Sequence, residues 1–179
     1  MKRVLWTLAI AFALGILGTL AVMYLGLYNV AASNGEGGFT AWMLGTTMDH
    51  SVRSHAAGMS VPKLEDSSLV DEGFDHYKEM CIACHSSPAG GQSETGVGLN
   101  PPAPELSDAA KDWTAGELYW IVKNGVKMTG MPAYGPTHSE RELWGIVAFL
   151  QKLKGMNASE YKTFVSAHPA PEDEHEHHH

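Results

Sequence analysis

Cys81 and Cys84 are the only two cysteines in a chain of 179 residues, and His85 follows the second directly. Thiols two residues apart form a redox disulfide, supply half of a zinc site, attach a haem, or occur by chance. A redox pair of the thioredoxin kind follows a strand and opens a helix, whereas this pair ends a helix-like stretch with no βαβ alternation around it. A tetrahedral zinc site wants a second pair of Cys or His ligands at similar spacing, and that context is missing too. What the residues do spell, Cys81-Ile82-Ala83-Cys84-His85, is the C-x-x-C-H haem-attachment pattern. Two thiols so spaced at a helix end can each add to one vinyl group of the same porphyrin. The next residue is then held below the iron, where its imidazole can coordinate, so His85 is the expected fifth ligand.

A sixth ligand has to come from further along the chain, and Lys127-Met128-Thr129-Gly130-Met131-Pro132-Ala133-Tyr134 holds two methionines. Met131 is the candidate, because flanking Gly130 and Pro132 let the backbone approach closely and fix its direction. Met128 is expected to be apolar filler. A neutral, soft thioether favours ferrous iron, so a His/Met pair raises the reduction potential.

Three helical patterns position these groups. Leu69 to Cys81 carries an apolar or aromatic stripe of Leu69, Val70, Phe74, Tyr77 and Met80. Thr114 to Asn124 opens on Thr114 and Glu117 in capping-box spacing and stops at Gly125. Ser139 to Lys154 repeats the device with Ser139 and Glu142, burying Leu143, Trp144, Ile146, Val147, Phe149 and Leu150 before Gly155. Ala158 to Phe164 is expected to add only a short helical turn. No strand pattern appears. Between the first two helices, Ser86 to Asp112 is rich in Gly, Pro and Ser, long enough for an irregular loop to need something besides side chains to order it.

Ahead of this domain, Lys2 and Arg3 precede Val4 to Tyr28, a run of twenty-five residues without a charged side chain. About 20 such residues cross a membrane as a helix. The basic pair on the amino side places the N-terminus in the cytoplasm and the rest outside it, in the periplasm of a bacterium. The alternative is a cleaved signal peptide, with small residues at Val30-Ala31-Ala32. Phe39 to Ala57 is a candidate membrane-proximal helix in which His50 and His55 read as polar residues on a solvated or docking face. Val61 to Ser68 is the linker, and His168 to His179 is an acidic, His-rich tail without apolar residues to order it. The expected division is therefore 1–32 anchor, 33–68 membrane-proximal segment and linker, 69–165 haem domain, and 166–179 disordered tail.

From Leu69 to Leu153 the chain resembles the class I c-type cytochromes, small all-α proteins with one covalently attached haem that shuttle electrons. Gly73 and Tyr77 stand eight and four residues before Cys81, where that family places a small residue and an aromatic on its N-terminal helix. Ile146, Phe149 and Leu150 match the face of the C-terminal helix that crosses it, the glycine letting the two touch. Pro104 and Leu106 match the family's proline-x-leucine element. The resemblance implies that the Pro104 carbonyl receives the Nδ1 proton of His85 and that Leu106 packs on the porphyrin, while Gly130-Met131-Pro132-Ala133 fits the sixth-ligand loop. Trp113, Trp120 and Tyr134 are candidates for wall or propionate contacts or for plain core.

The expected fold is thus all-α, a cytochrome c fold around one covalent haem c with His/Met-ligated iron, preceded by a single transmembrane helix. The expected function is single-electron transfer between respiratory-chain partners at the periplasmic side of a bacterial inner membrane, without a small-molecule substrate and not as an enzyme. Twenty acidic against twelve basic residues leave a charge of −8, which argues against nucleic acid as a partner. Two rivals are a haem-bearing subunit of a larger respiratory complex and a haem-based sensor or peroxidase-like enzyme with an open sixth position.

Overall fold

Apolar side chains all round a helix leave it no water-facing side, and the first helix of the computed structural model, which describes residues 1–35, 37–91 and 93–168, is of that kind. α1 spans Lys2–Tyr24, none of it buried within the protein, with a mean hydropathy of 2.2 over its most apolar window. At 1.5 Å per residue its 23 residues reach about 34 Å, enough for a hydrocarbon core of about 30 Å. It stops short of the expected Tyr28 because Gly26, at φ +65°, turns the chain through the left-handed region. Met1–Asn34 forms one compact unit and the chain from Gly35 another.

The second unit contains α2 (Gly38–Ala56), α3 (Ser67–His76), a π-helical turn (Tyr77–Cys81), α4 (Ile82–His85), α5 (Glu94–Gly98) and α6 (Leu106–Ala109), the last running into a 3₁₀ turn at Ala110–Asp112. α7 (Ala115–Asn124), α8 (Glu140–Leu153) and α9 (Ala158–Ala167) complete it, and no strand occurs among the described residues. Two expectations need correction here. The 86–112 stretch is not an unbroken loop; α5 and α6 are four or five residues long, too short to show a period, and each starts at a capping side chain, Ser93 and Glu105. The segment after Gly155 is not a short turn but a ten-residue helix opened by an Asn157–Glu160 capping box, and it carries positions 166 and 167 out of the expected tail. The rest of that tail, 169–179, lies outside the described residues.

The core is the crossing of α3 on α8. Gly73 and Gly145 meet there so closely that a Cβ on Gly73 would sit 1.8 Å from the Gly145 carbonyl oxygen. Around this contact Phe149 packs on Phe74 and Tyr77, with ring centroids 5.0 and 4.9 Å away. α9 closes the cluster from outside, its Phe164 lying edge-on to Phe74 at 5.1 Å and its Tyr161 buried. α2 packs its C-terminal half against α7, where Val52 and Ala56 are buried, His55 lies 5.4 Å from the Trp120 ring and the Arg53 guanidinium 5.2 Å from that of Trp113.

Both expected capping boxes form, Thr114 with Glu117 and Ser139 with Glu142. At α8 the Ser139 hydroxyl and backbone N–H, with His76 and His138 nearby, hold the Glu142 carboxyl below its ordinary value. A depressed carboxylate contributes stability above its unfolded value of about 4.3, and that share is lost as pH falls through the folded value. Ser139→Ala removes the N-cap oxygen of α8, and that loss is expected to lower the unfolding free energy by about 1 kcal/mol near neutral pH. The difference from the unmodified protein should narrow in urea melts run below pH about 4.

Candidate functional site

The C-x-x-C-H segment sits where α3 gives way to the π turn and α4, so the motif hangs directly from the helix that crosses α8. A π turn widens the helix by one residue and rotates the helical turn beyond it. Cys81 ends this turn, buried, with Cys84 half-buried one helical turn on; both are free thiols. Burial first, and the neighbouring Cys84 second, pushes the Cys81 thiol up to about 12. A thiol held protonated is the opposite of the depressed, reactive thiols of redox pairs.

The chain leaves α4 through Ser86 at φ 63°, a backbone state uncommon for a residue with a side chain, and several hydrogen bonds fasten it there. The buried Tyr77 hydroxyl donates to the Ser86 carbonyl at 2.9 Å, and burial pushes that phenol far up, so it remains a donor. Ser93 N–H donates to the Ser86 hydroxyl at 2.8 Å, and the Ser93 hydroxyl donates to the Cys84 carbonyl at 3.0 Å. Gly96 closes on the same carbonyl, since a Cβ there would lie 2.2 Å from it. Sequence reasoning did not single out Ser86, Ser93 or Gly96; a serine at a turn carries no signal until its partner is known.

His85 ends α4 with its Nδ1 2.8 Å from the Pro104 carbonyl oxygen. A carbonyl only accepts, so Nδ1 carries the proton and the Nε2 lone pair is left for a metal. Of the prolines at 101, 102 and 104, Pro104 is the one that faces His85. Leu106, two residues on, is half-buried and packs against the core at the start of α6.

The 125–135 loop carries Met131. Gly125, at φ +64°, ends α7, and a Cβ on it would lie 2.8 Å from the Met131 carbonyl, so the loop folds back on the helix end. Val126 N–H donates to the Met131 carbonyl at 3.3 Å, Met131 N–H to the Thr129 hydroxyl at 3.1 Å, and that hydroxyl to the Val126 carbonyl at 2.7 Å. Tyr134 and Gly135 N–H tie the far end to the Val122 and Lys123 carbonyls. Met131 is half-buried against the core, as is Tyr134, whose phenol burial pushes up. Met128 is not the apolar filler expected: its backbone is at φ 61° and its side chain is 73% exposed. The tight turn, not packing, decides its place.

These residues fit a covalently held haem. Two free thiols can bond the porphyrin's vinyl groups, while an imidazole whose Nδ1 is committed to a carbonyl and a thioether in a pinned loop are neutral donors suited to its iron. No group of three or more His, Cys, Asp or Glu side chains able to hold a metal ion occurs among the described residues.

Residues 68–150 match the family described as cytochrome C oxidase, cbb3-type, subunit III. No curated protein matches the chain. The matched stretch begins at α3, takes in Cys81, Cys84, His85, Pro104 and Met131, and ends within α8, leaving α1, α2 and α9 outside. Residues 68–150 are a class I c-type cytochrome domain, which implies covalent haem c and a protein of electron transfer.

Proposed function

We propose that this chain is a membrane-anchored, monohaem c-type cytochrome that passes single electrons between respiratory partners. Haem c is joined to Cys81 and Cys84, its iron held between His85 and Met131. α1 anchors the chain in a bacterial inner membrane with the cytochrome domain on the periplasmic side. The observation that carries the ligand assignment is the His85 Nδ1 hydrogen bond to the Pro104 carbonyl, 2.8 Å long. Such a bond fixes the tautomer and raises the basicity of the nitrogen that faces the metal.

Bound haem supplies one-electron chemistry at its iron. The chain's own residues do the rest. The Cys84 carbonyl, the Ser86 turn and Pro104 hold the imidazole in one orientation, with Nε2 free to ligate. The 126–131 hydrogen bonds fix the backbone from which the Met131 thioether would reach the iron. α8, α9 and the aromatic cluster of Phe74, Tyr77 and Phe149 keep water from the side of the domain behind the thioether attachments.

A second reading, a haem-bearing subunit of a larger respiratory complex, is favoured by one observation: the description of the matching family names a subunit of an oxidase. Carbonate-washed membranes run on a denaturing gel and stained for haem test the proposal. The expected result is a stained band near the 19.3 kDa of the chain, lost when Cys81 and Cys84 are both replaced by alanine. A stain removed by acidic organic solvent overturns covalent attachment, and a stained protein found wholly in the carbonate wash overturns the anchor. Blue-native separation of the same membranes in mild detergent separates a free carrier, which migrates alone, from a subunit, which comigrates with other chains.

A further inference from the structure

α2 carries an apolar stripe, Ala41, Leu44, Gly45, Met48, Val52 and Ala56, at the spacing that places residues on one helix face. Protein covers its end fully, with Val52 1% exposed and Ala56 7%, while Leu44 and Met48 are half-buried. The first four residues of the stripe face a cleft of about 730 Å³. Cofactor-sized ligands occupy sites of about 300–1,000 Å³.

Cys81, Cys84, His85 and Met131 do not line this cleft themselves, but its other walls come from the chain beside the last two. Pro101 and Pro102 come from the segment that leads into Pro104, the partner of His85. Trp120, Val126 and Met128 come from α7 and from the turn that leads into Met131. The segments that carry the two proposed ligand sides of the iron therefore converge on one cleft, and α2 lies across it. A flat macrocycle held between those segments presents an edge to the space where they meet.

We propose that α2 is a cover over one edge of the haem, supplied by a stretch of chain outside the 68–150 cytochrome match. The inference rests on the haem reading above. It explains why a helix with an apolar stripe is packed on α7 at one end and left facing a cleft at the other. Ala41, Leu44 and Met48 exclude water from that edge, and a less hydrated haem favours the ferrous state, because burial is one of the levers on the potential of a haem iron. The same cover withholds this edge from redox partners, so that electrons enter and leave elsewhere on the domain.

Gly45 offers the test, because a Cβ built there meets nothing within 4 Å. In the full chain, Gly45→Phe places a ring in the cleft, whereas Gly45→Ala adds one methyl group. If the haem edge is there, Gly45→Phe forces α2 away and admits water. The reduction equilibrium then moves toward the ferric form by about tenfold, or about 59 mV for one electron, and the Soret circular dichroism changes; Gly45→Ala leaves both as they were. An unchanged potential and Soret signal in a folded Gly45→Phe protein overturns the proposal, since the ring has then filled space that the haem does not use. Should that variant fail to fold, Met48→Gln decides: it keeps size and helix propensity and puts an amide in the cleft, and an unchanged potential again overturns the cover. Absence of haem stain in the unmodified protein defeats the haem reading instead, so the two failures are told apart.

Discussion

Gly73→Ala is expected to cost the domain about 3 kcal/mol or more, although it adds a single methyl group. That methyl would stand 1.8 Å from the carbonyl oxygen of Gly145 and 2.3 Å from its carbon, against the 3.0 Å below which real contacts scarcely occur. The obstacle is the backbone of α8, so no rotamer change relieves it and the two helices have to part by about an ångström. Overpacking that side chains can absorb costs about 1–3 kcal/mol; here the parting also loosens Phe74, Tyr77 and Phe149, which pack around the crossing. Since small domains hold only about 5–15 kcal/mol in total, urea melts should show a much lower midpoint and a weakened Soret circular dichroism before denaturant is added. Gly45→Ala, also mid-helix but with open space around it, is the matched control and is expected to be neutral or to gain up to about 1 kcal/mol from helix propensity. Equal midpoints for Gly73→Ala and the unmodified protein would show that α3 and α8 do not meet through this glycine.

The helix crossing and the haem motif were legible because each is written in local terms. Cys81, Cys84 and His85 lie within five consecutive residues, Thr114 with Glu117 and Ser139 with Glu142 are caps three residues apart, and the stripe from Leu143 to Leu150 has a clear period. What escaped was set by partners distant in sequence or by turns too short to have a period. Ser93 and Gly96 matter only because the Cys84 carbonyl lies against them. α5 and α6 are hidden by a Gly- and Pro-rich composition, and their capping side chains are common residues that point to a helix only when one comes after them. The pattern predicts little order at Tyr161 and Phe164, yet Phe74 and Phe149 give Phe164 a surface to bury against and Tyr77 gives one to Tyr161. Met128 and Met131 are chemically alike and three residues apart; the hydrogen bonds of the turn, which send one outward and the other inward, are invisible in the letters.

That difference between the two methionines also decides between carrier and catalyst. A domain whose sixth position is filled by the Met131 thioether offers small ligands no vacancy, and its reduced form is expected to bind carbon monoxide slowly or not at all near neutral pH. The oxidised form should show the weak far-red band that arises from thioether-to-iron charge transfer. Met131→Ala removes the only soft donor that the 126–131 turn aims at the core, so the band is expected to vanish and carbon monoxide to bind readily. Loss of a ligand that favours ferrous iron should also lower the reduction potential by well over about 59 mV, more than tenfold in the equilibrium. Met128→Ala should keep the band and the closed sixth position, because its side chain is turned outward. Rapid, complete carbon monoxide binding by the unmodified protein would contradict the carrier and put the sensor or peroxidase-like reading above it. A filled position would also account for the way the loop is built: four hydrogen bonds among Val126, Thr129 and Met131, with Gly125 closing its base, hold the backbone at Met131, a constraint that an exchangeable site has no need of.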